Sequence, residues 1–314
     1  MAKSRRLQTG RLTPWGALSV GLLALGCSQP EPRCSIARGD FAATYTLLSS
    51  TGPCEPLRGE LLSVQAYTAR RSVSDPRPDY DKSSMAIQPR SLTALLEPAR
   101  GAENGEDKPY AMGAFATSRP ASDDFCSVPS LSTARLRLPE GAAPVYACTS
   151  AAPSPAVDIA YAFSNVRVYT TPGAYGTQFA GDLTYTNGAC VAQYRVAALY
   201  PAVSCAAPPA PPAPPVEPPD ASAAPALGGL DAGLDGGLAP LEAGSVAPEA
   251  SAGDGGCEAP PAEEPPLRDE SLCAALPDPA QGRAFGSGIN PDFSVQCDPE
   301  LLLCVLAAPP PSLR

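Results

Sequence analysis

The residues of this chain that offer the widest choice of chemistry are its eleven cysteines. A cysteine thiolate binds metal ions and attacks electrophiles, whereas two oxidised cysteines form a disulfide. No two of these cysteines have the C-x-x-C spacing of zinc sites, and the chain contains no histidine, which excludes mixed cysteine and histidine sites. The pattern therefore predicts disulfides, formed in an oxidising compartment outside the cytosol. The candidates are Cys34, Cys54, Cys126, Cys148, Cys190, Cys205, Cys257, Cys273, Cys297 and Cys304.

The absence of histidine also limits catalysis. The common general base is missing, so Ser-His-Asp and Cys-His nucleophile sites cannot form. Two carboxylates could still hydrolyse a glycosidic bond. Adjacent residues on a strand point to opposite faces, however, so a doublet such as Asp123-Asp124 would not converge on one bond. We therefore expect a protein that is not an enzyme, with a carboxylate-dependent hydrolase as an alternative.

One stretch resembles the calcium loop of an EF-hand. Asp231, Asp235 and Glu242 stand where loop positions 1, 5 and 12 provide oxygen ligands, and Gly236 stands at position 6. Gly233 departs from the pattern at position 3, and no helix-forming sequence flanks the loop. We therefore interpret the stretch as part of a flexible linker, and we predict neither a bound metal ion nor a cofactor.

The N-terminus combines a basic start with a short apolar stretch. Residues 1–11 contain four cations and no acid, and residues 15–26 are uncharged and mostly apolar. This stretch is too short to span a bilayer, which needs about 20 residues in a helix. The pattern is typical of an export signal. At its end, Ala24-Leu25-Gly26-Cys27 resembles the lipobox of bacterial lipoproteins.

The resemblance to bacterial lipoproteins covers the first 27 residues and implies a lipid anchor. It implies cleavage before Cys27, diacylglycerol on the thiol of Cys27 and a further acyl chain, such as palmitate, on its amine. In lipoproteins of bacteria with two membranes, a serine after the modified cysteine usually accompanies sorting to the outer membrane. Ser28 therefore implies an exported protein of the cell envelope, held on the outer membrane.

Composition divides the mature chain into segments. Residues 206–266 hold fifteen prolines and ten acids but no lysine, arginine or aromatic residue. This stretch lacks the apolar side chains that offset the cost of chain ordering, so it predicts a disordered linker. Its acids account for the net charge of −10, and no basic cluster of the kind that binds nucleic acids remains. The predicted segments are a signal peptide (1–26), a tether (27–34), a β-rich domain (35–205), the linker (206–266) and a tail (267–314).

Alternation of apolar and polar residues predicts that residues 35–205 form an all-β domain. The clearest apolar set is Val157, Ile159, Tyr161 and Phe163, and its phase slips at Ser164-Asn165, which indicates a bulge or a turn. No segment carries the long apolar stripe of a helix. We expect an antiparallel β-sandwich or barrel, stabilised by disulfides.

A hairpin is predicted over residues 177–200. Asn187-Gly188 is a strong signal for a two-residue type I′ turn. This turn would pair Thr186 with Ala189 and place one face of the hairpin in the core.

The tail has too few residues to build much of a core alone. Because residues 301–306 form an apolar run, we predict that the tail docks on the β domain. The predicted function is a structural or binding role in the cell envelope, with the membrane and an envelope protein or small apolar ligand as partners. A calycin-like carrier of a small apolar ligand is an alternative, which the Gly39-Asp40-Phe41 start of the domain permits.

Overall fold

The computed structural model describes residues 31–96, 99, 105–142, 154–207, 267–281 and 283–313. Antiparallel β structure dominates, and the main sheet curves into a nearly closed barrel. This confirms the predicted all-β, disulfide-stabilised class and decides between its two forms in favour of the barrel.

Nine strands and one short helix build the barrel. They are β1 (Gly39–Thr51), β2 (Gly59–Arg70), β3 (Pro78–Pro89), α1 (Arg90–Leu96), β4 (Ala111–Ala114), β5 (Phe125–Ser130), β6 (Ala134–Leu138), β7 (Val157–Thr171), β8 (Ala174–Asn187) and β9 (Cys190–Leu199). The tail adds 3-10 turns at Glu270–Cys273 and Pro279–Gln281 and a two-stranded sheet of β10 (Val295–Cys297) and β11 (Cys304–Leu306).

The strands follow the order β4-β3-β2-β1-β9-β8-β7-β5, and β6 also pairs with β7. Backbone hydrogen bonds connect the two outer strands and nearly close the barrel. The amide of Ala116, just after β4, donates to the Ser127 carbonyl at 2.8 Å, and the amide of Ser132 donates to the Met112 carbonyl at 2.8 Å. These bonds satisfy edge groups that would otherwise be open to pairing with another chain.

Large apolar side chains fill the barrel interior because alternate residues of every strand point inward. Those below 2% exposure include Phe41, Leu62, Met85, Ile87, Leu92, Leu136, Tyr161, Phe163, Phe179, Leu183 and Tyr194. The predicted phase slip in β7 is confirmed as a bulge: the register shifts between Ser164 and Arg167, with Asn165 at a φ of 52°.

The predicted hairpin forms, but its turn lies one residue further along. The observed register pairs Asn187 with Cys190, so Gly188 and Ala189 make the turn, with Gly188 at a φ of 55°. The predicted pairing of Thr186 with Ala189 is therefore wrong. Asn187 stays in the sheet because it also pairs with Ile159 of β7, which extends β8 by one residue. The inward face is unchanged, since the pairing shifts by an even number of residues.

The tail packs on the outside of the barrel. It forms a second apolar cluster with outward-facing barrel residues. Its members are Phe125, Tyr169, Ala174, Leu199, Cys205, Cys273, Ile289, Phe293, Cys297, Cys304 and Leu306. Polar contacts accompany it: the Cys304 amide donates to the Val203 carbonyl at 2.8 Å, and the buried Gln178 side chain accepts from the Ser312 amide at 3.0 Å.

Candidate functional site

The barrel has two ends that carry different groups. The tether end comprises the N-terminal segment (31–38), the β2–β3 loop (71–77) and the β7–β8 turn (172–173). The helix end comprises α1, the β1–β2 loop (52–58) and the β8–β9 turn (188–189). A disulfide between Cys54 and Cys190 joins the β1–β2 loop to the first residue of β9 at the helix end, with 4.9 Å between the Cα atoms.

A carboxylate on the inner face of the sheet is the centre of the candidate site, at the helix end. Glu60 pairs with Ala43 across β1 and β2, and Ala43 belongs to the barrel core. The Tyr45 hydroxyl donates to Oε1 of Glu60 at 3.2 Å, and the Ser91 amide donates to Oε2 at 2.9 Å. Ser91 lies in the first turn of α1. A carboxylate bonded to amides at a helix start is electrostatically favoured, so Glu60 fastens α1 over the end of the barrel.

Buried tyrosines surround this carboxylate. The hydroxyls of Tyr161 and Ser91 lie 2.9 Å apart and share a hydrogen bond, and the Leu57 amide donates to the Tyr194 hydroxyl at 3.0 Å. The rings of Tyr161 and Tyr185 meet edge to face, with 5.0 Å between centroids. These bonds connect the β1–β2 loop to β9 and α1 to β7, through tyrosine side chains that are themselves packed in the core.

Burial governs the charge state of these tyrosines. Burial raises the pKa of Tyr45 well above its usual value, and the charge of Glu60 raises it further. Burial likewise raises the pKa of Tyr161 and Tyr185. Neutral phenols at neutral pH are hydrogen-bond donors, so the network consists of one carboxylate and neutral donors. Such an arrangement can position loops or a ligand hydroxyl or amine, and it contains no activated nucleophile.

Glu60 is not among the residues predicted from the sequence, although the sequence carries a signal for it. Leu62 and Val64 alternate on the inner face of β2, and Glu60 continues that alternation. An acid in phase with an apolar set points toward the core and needs hydrogen-bond partners there. Its partners come from residues distant in sequence, which explains why local pattern alone did not reveal the network.

Eight of the predicted disulfide cysteines are brought together in four bonds. The pairs are Cys34–Cys126, Cys54–Cys190, Cys205–Cys297 and Cys273–Cys304. The sulfurs of Cys205, Cys273 and Cys304 cluster within 4.8 Å, but disulfide sulfurs are not the thiolates that bind metals. Cys27, Cys148 and Cys257 lie outside the described residues, as do Asp231, Asp235 and Glu242.

The acidic doublet Asp123-Asp124 lies away from the network around Glu60. The carboxylate of Asp123 forms an exposed ion pair with Arg167, and Asp124 adopts a φ of 63° in the turn before β5. The Arg167 guanidinium lies 4.1 Å from the centroid of the Phe125 ring. These contacts give Asp123 a structural role at the surface.

Grooves at the surface involve the tail. One of about 430 Å³ is lined by Tyr169 and Gly173 of the barrel and by Asn290 and Phe293 of the tail. Another of about 380 Å³ is lined by Val203, Arg283 and Phe285, among others. Both lie outside the barrel, whereas a calycin-like carrier holds its ligand inside.

None of the described residues forms a helix of sufficient length and apolarity to cross a bilayer.

Comparison with known proteins identifies the family. The family model MlpA matches residues 39–201, which is just over half of the chain and corresponds to the whole barrel. A Myxococcus xanthus protein, MlpA, whose name assigns it provisionally to the lipoproteins, is 26% identical over 200 residues, which is 60% of this chain and 75% of the relative. No solved structure matches the chain. The chain therefore belongs to the MlpA family and is a bacterial lipoprotein.

Proposed function

We propose that this protein is held on the cell envelope by lipid on Cys27 and has a structural or binding role that involves no catalysis. The observation that supports the proposal is that the N-terminal segment is bonded to the barrel at Cys34, only seven residues after Cys27. At that point Cys34 is bonded to Cys126 of β5, with 5.5 Å between the Cα atoms. A lipid at Cys27 would thus be joined to a rigid barrel by a very short connection.

Further contacts fix the exit of the N-terminal segment. The Cys34 amide donates to the Ser118 carbonyl at 3.0 Å, and Arg119 forms an ion pair with Glu31 at 2.7 Å. A lipid anchor holds the domain at a defined distance from the membrane only if the chain between the lipid and the domain is short or stiff. The attachment of residues 31–34 to the β4–β5 loop meets that requirement.

The helix-end network supports a role without catalysis. Glu60 is engaged by Tyr45 and Ser91, which makes it part of the structure that holds α1. The barrel core is packed with aromatic and aliphatic side chains. Binding would therefore use the loops and the tail on the outside of the barrel, as is common when loops are positioned by a rigid scaffold.

Replacing Cys27 by serine tests the anchor. The full precursor and its Cys27→Ser variant are expressed in a bacterium with two membranes and fractionated. We expect the parent protein in the membrane fraction and the variant in the soluble fraction, because the thioether-linked lipid is the attachment. Mass analysis of the parent's N-terminal peptide should show diacylglycerol and a further acyl chain. Equal membrane association of both proteins, with an unmodified N-terminal peptide, would refute the anchor.

Substitution of Ser28 tests whether the anchored protein is sorted to the outer or the inner membrane. We expect Ser28→Asp to shift the lipidated protein from the outer to the inner membrane in sucrose-gradient fractions, since aspartate at this position signals retention in lipoproteins. Ser28→Ala is the matched control and should leave the distribution unchanged. If Ser28→Asp has the same distribution as the control, sorting does not depend on this position.

A further inference from the structure

The tether end carries an exposed apolar tip flanked by arginines. Val73 lies in the β2–β3 loop and is 85% exposed, and Arg70 and Arg71 precede it. Asp75, the nearby acid of the loop, is occupied by Arg77, whose Nε and Nη2 donate to it at 2.9 and 2.8 Å. Within the described parts of the chain, neither Arg70 nor Arg71 lies within ion-pair distance of an acid, although Arg71 interacts with Asp75 at longer range. An exposed apolar side chain preceded by two cations that no acid contacts closely is suited to the surface of a bilayer, which is apolar inside and carries anionic headgroups outside.

Aromatic side chains line the same end, directly beside the tether. The Arg33 guanidinium lies 5.8 Å from the centroid of the Tyr80 ring. Tyr80 and Tyr175 are 37% and 41% exposed. The adjoining segment is fastened to β8, because the Ala37 amide donates to the Gly176 carbonyl at 2.9 Å. Tyrosine and arginine are both amphipathic, and they concentrate where one side of a protein meets a membrane interface.

The length of the tether determines which surface this end meets. Arg33 lies six residues after Cys27, and a fully extended chain of six residues spans at most about 20 Å. The strands that lead away from the tether end run for 12 to 15 residues in β2, β3 and β7, which corresponds to about 40–50 Å along the strand. Acyl chains on Cys27 would therefore keep the tether end, and not the helix end, close to the bilayer.

We propose that the tether end rests on the phospholipid surface that holds the Cys27 acyl chains, with Val73 in the interface and Arg70 and Arg71 on lipid phosphates. This inference rests on the proposed lipid anchor. It assigns an orientation: the network around Glu60 and the α1 face point away from the bilayer, where other envelope components are accessible. The tether end is then a second, non-covalent membrane contact, of the kind that makes attachment through acyl chains stable.

A tryptophan reporter tests the orientation, because the mature protein has none: the single tryptophan of the chain is Trp15, in the signal peptide. The variants V73W and L48W each place one tryptophan at an exposed apolar position. Val73 lies at the tether end, and Leu48, 55% exposed, lies near the helix end of β1. Each lipidated protein is reconstituted into vesicles of phosphatidylethanolamine with a minority of phosphatidylglycerol, part of which carries brominated acyl chains.

We expect bromine to quench the V73W fluorescence roughly twofold or more and to leave L48W nearly unchanged, since bromine quenches only tryptophans within the bilayer. Adding R70Q and R71Q to V73W should weaken the quenching, because the contact with lipid phosphates is lost. If both proteins float with the vesicles but V73W is quenched no more than L48W, the orientation is wrong even though the anchor stands. If neither protein floats with vesicles, the anchor itself fails and this inference fails with it.

Discussion

Truncating Phe293 should separate the contribution of the tail from that of the barrel. Phe293 is fully buried in the cluster that joins the tail to Tyr169 and Leu199 of the barrel. Phe285 is only eight residues away in the same tail but is 87% exposed. The two phenylalanines therefore form a matched pair: Phe293→Ala removes a buried ring, and Phe285→Ala removes the same atoms from a position in water.

The expected magnitudes differ by several kcal/mol. Truncation of a buried phenylalanine to alanine costs about 3–5 kcal/mol, from lost transfer free energy and the cavity that remains. An exposed substitution changes the free energy of unfolding by about 0.5 kcal/mol or less. The free energy of unfolding of an ordinary domain is about 5–15 kcal/mol, so Phe293→Ala should remove a large part of the stability.

Urea unfolding of the non-reduced proteins measures the difference. With an m-value near 2 kcal/mol/M, a loss of about 4 kcal/mol lowers the midpoint by about 2 M. The transition should be followed by far-ultraviolet circular dichroism and by proteolysis of the tail, so that undocking before barrel unfolding is detected as an earlier phase. Phe285→Ala should match the parent protein.

Equal midpoints for the two variants would refute this reasoning. They would mean that Phe293 is not packed between tail and barrel in solution. A lower midpoint for Phe285→Ala than for Phe293→Ala would assign the docking contact to the opposite face of the tail.

Other expected outcomes concern ionisation and the cysteines. The Arg137 guanidinium, 2.7 Å from the nearly buried carboxylate of Asp107, lowers the pKa of that carboxyl. The stabilisation from this ion pair should therefore be fully present above about pH 4 and be lost as the pH falls below it. In melting temperatures measured against pH, Asp107→Asn should make this decline at acid pH less steep. Burial raises the pKa of Tyr45 and Tyr161, so stability should decline above about pH 10. The part of the tyrosinate absorbance that comes from buried tyrosines should appear together with the loss of circular dichroism, and ionisation of all tyrosines before that loss would contradict this. Thiol labelling of the unfolded, non-reduced mature protein should modify no cysteine, and two labelled thiols per chain would show that the cysteines outside the four bonds are free.

Local patterns predicted the elements of the barrel where one face is buried. Apolar and polar residues alternate from Val157 to Phe163 because successive residues of β7 face the core and the outside in turn. The break in this alternation after Phe163 predicted the bulge at Asn165. The hairpin turn was displaced by one residue, because the position of Asn187 depends on β7 as well as on the hairpin itself. Turn propensity is a local quantity, and pairing with a third strand outweighed it.

The sequence by itself determined the β class of the chain, the lipobox-like motif that led to the lipoprotein family, and the number of cysteines available for disulfides, since periodicity, motif and count are all local properties. Only the tertiary structure decided which cysteines meet. Partners such as Cys54 and Cys190 are 136 residues apart in sequence, and only the order of strands around the barrel brings their Cα atoms within bonding distance. The same holds for Glu60, whose partners Tyr45 and Ser91 come from another strand and from α1. A half-buried carboxylate on the inner face of a sheet is stable only where the fold brings donors to it, and no stretch of β2 alone contains that information.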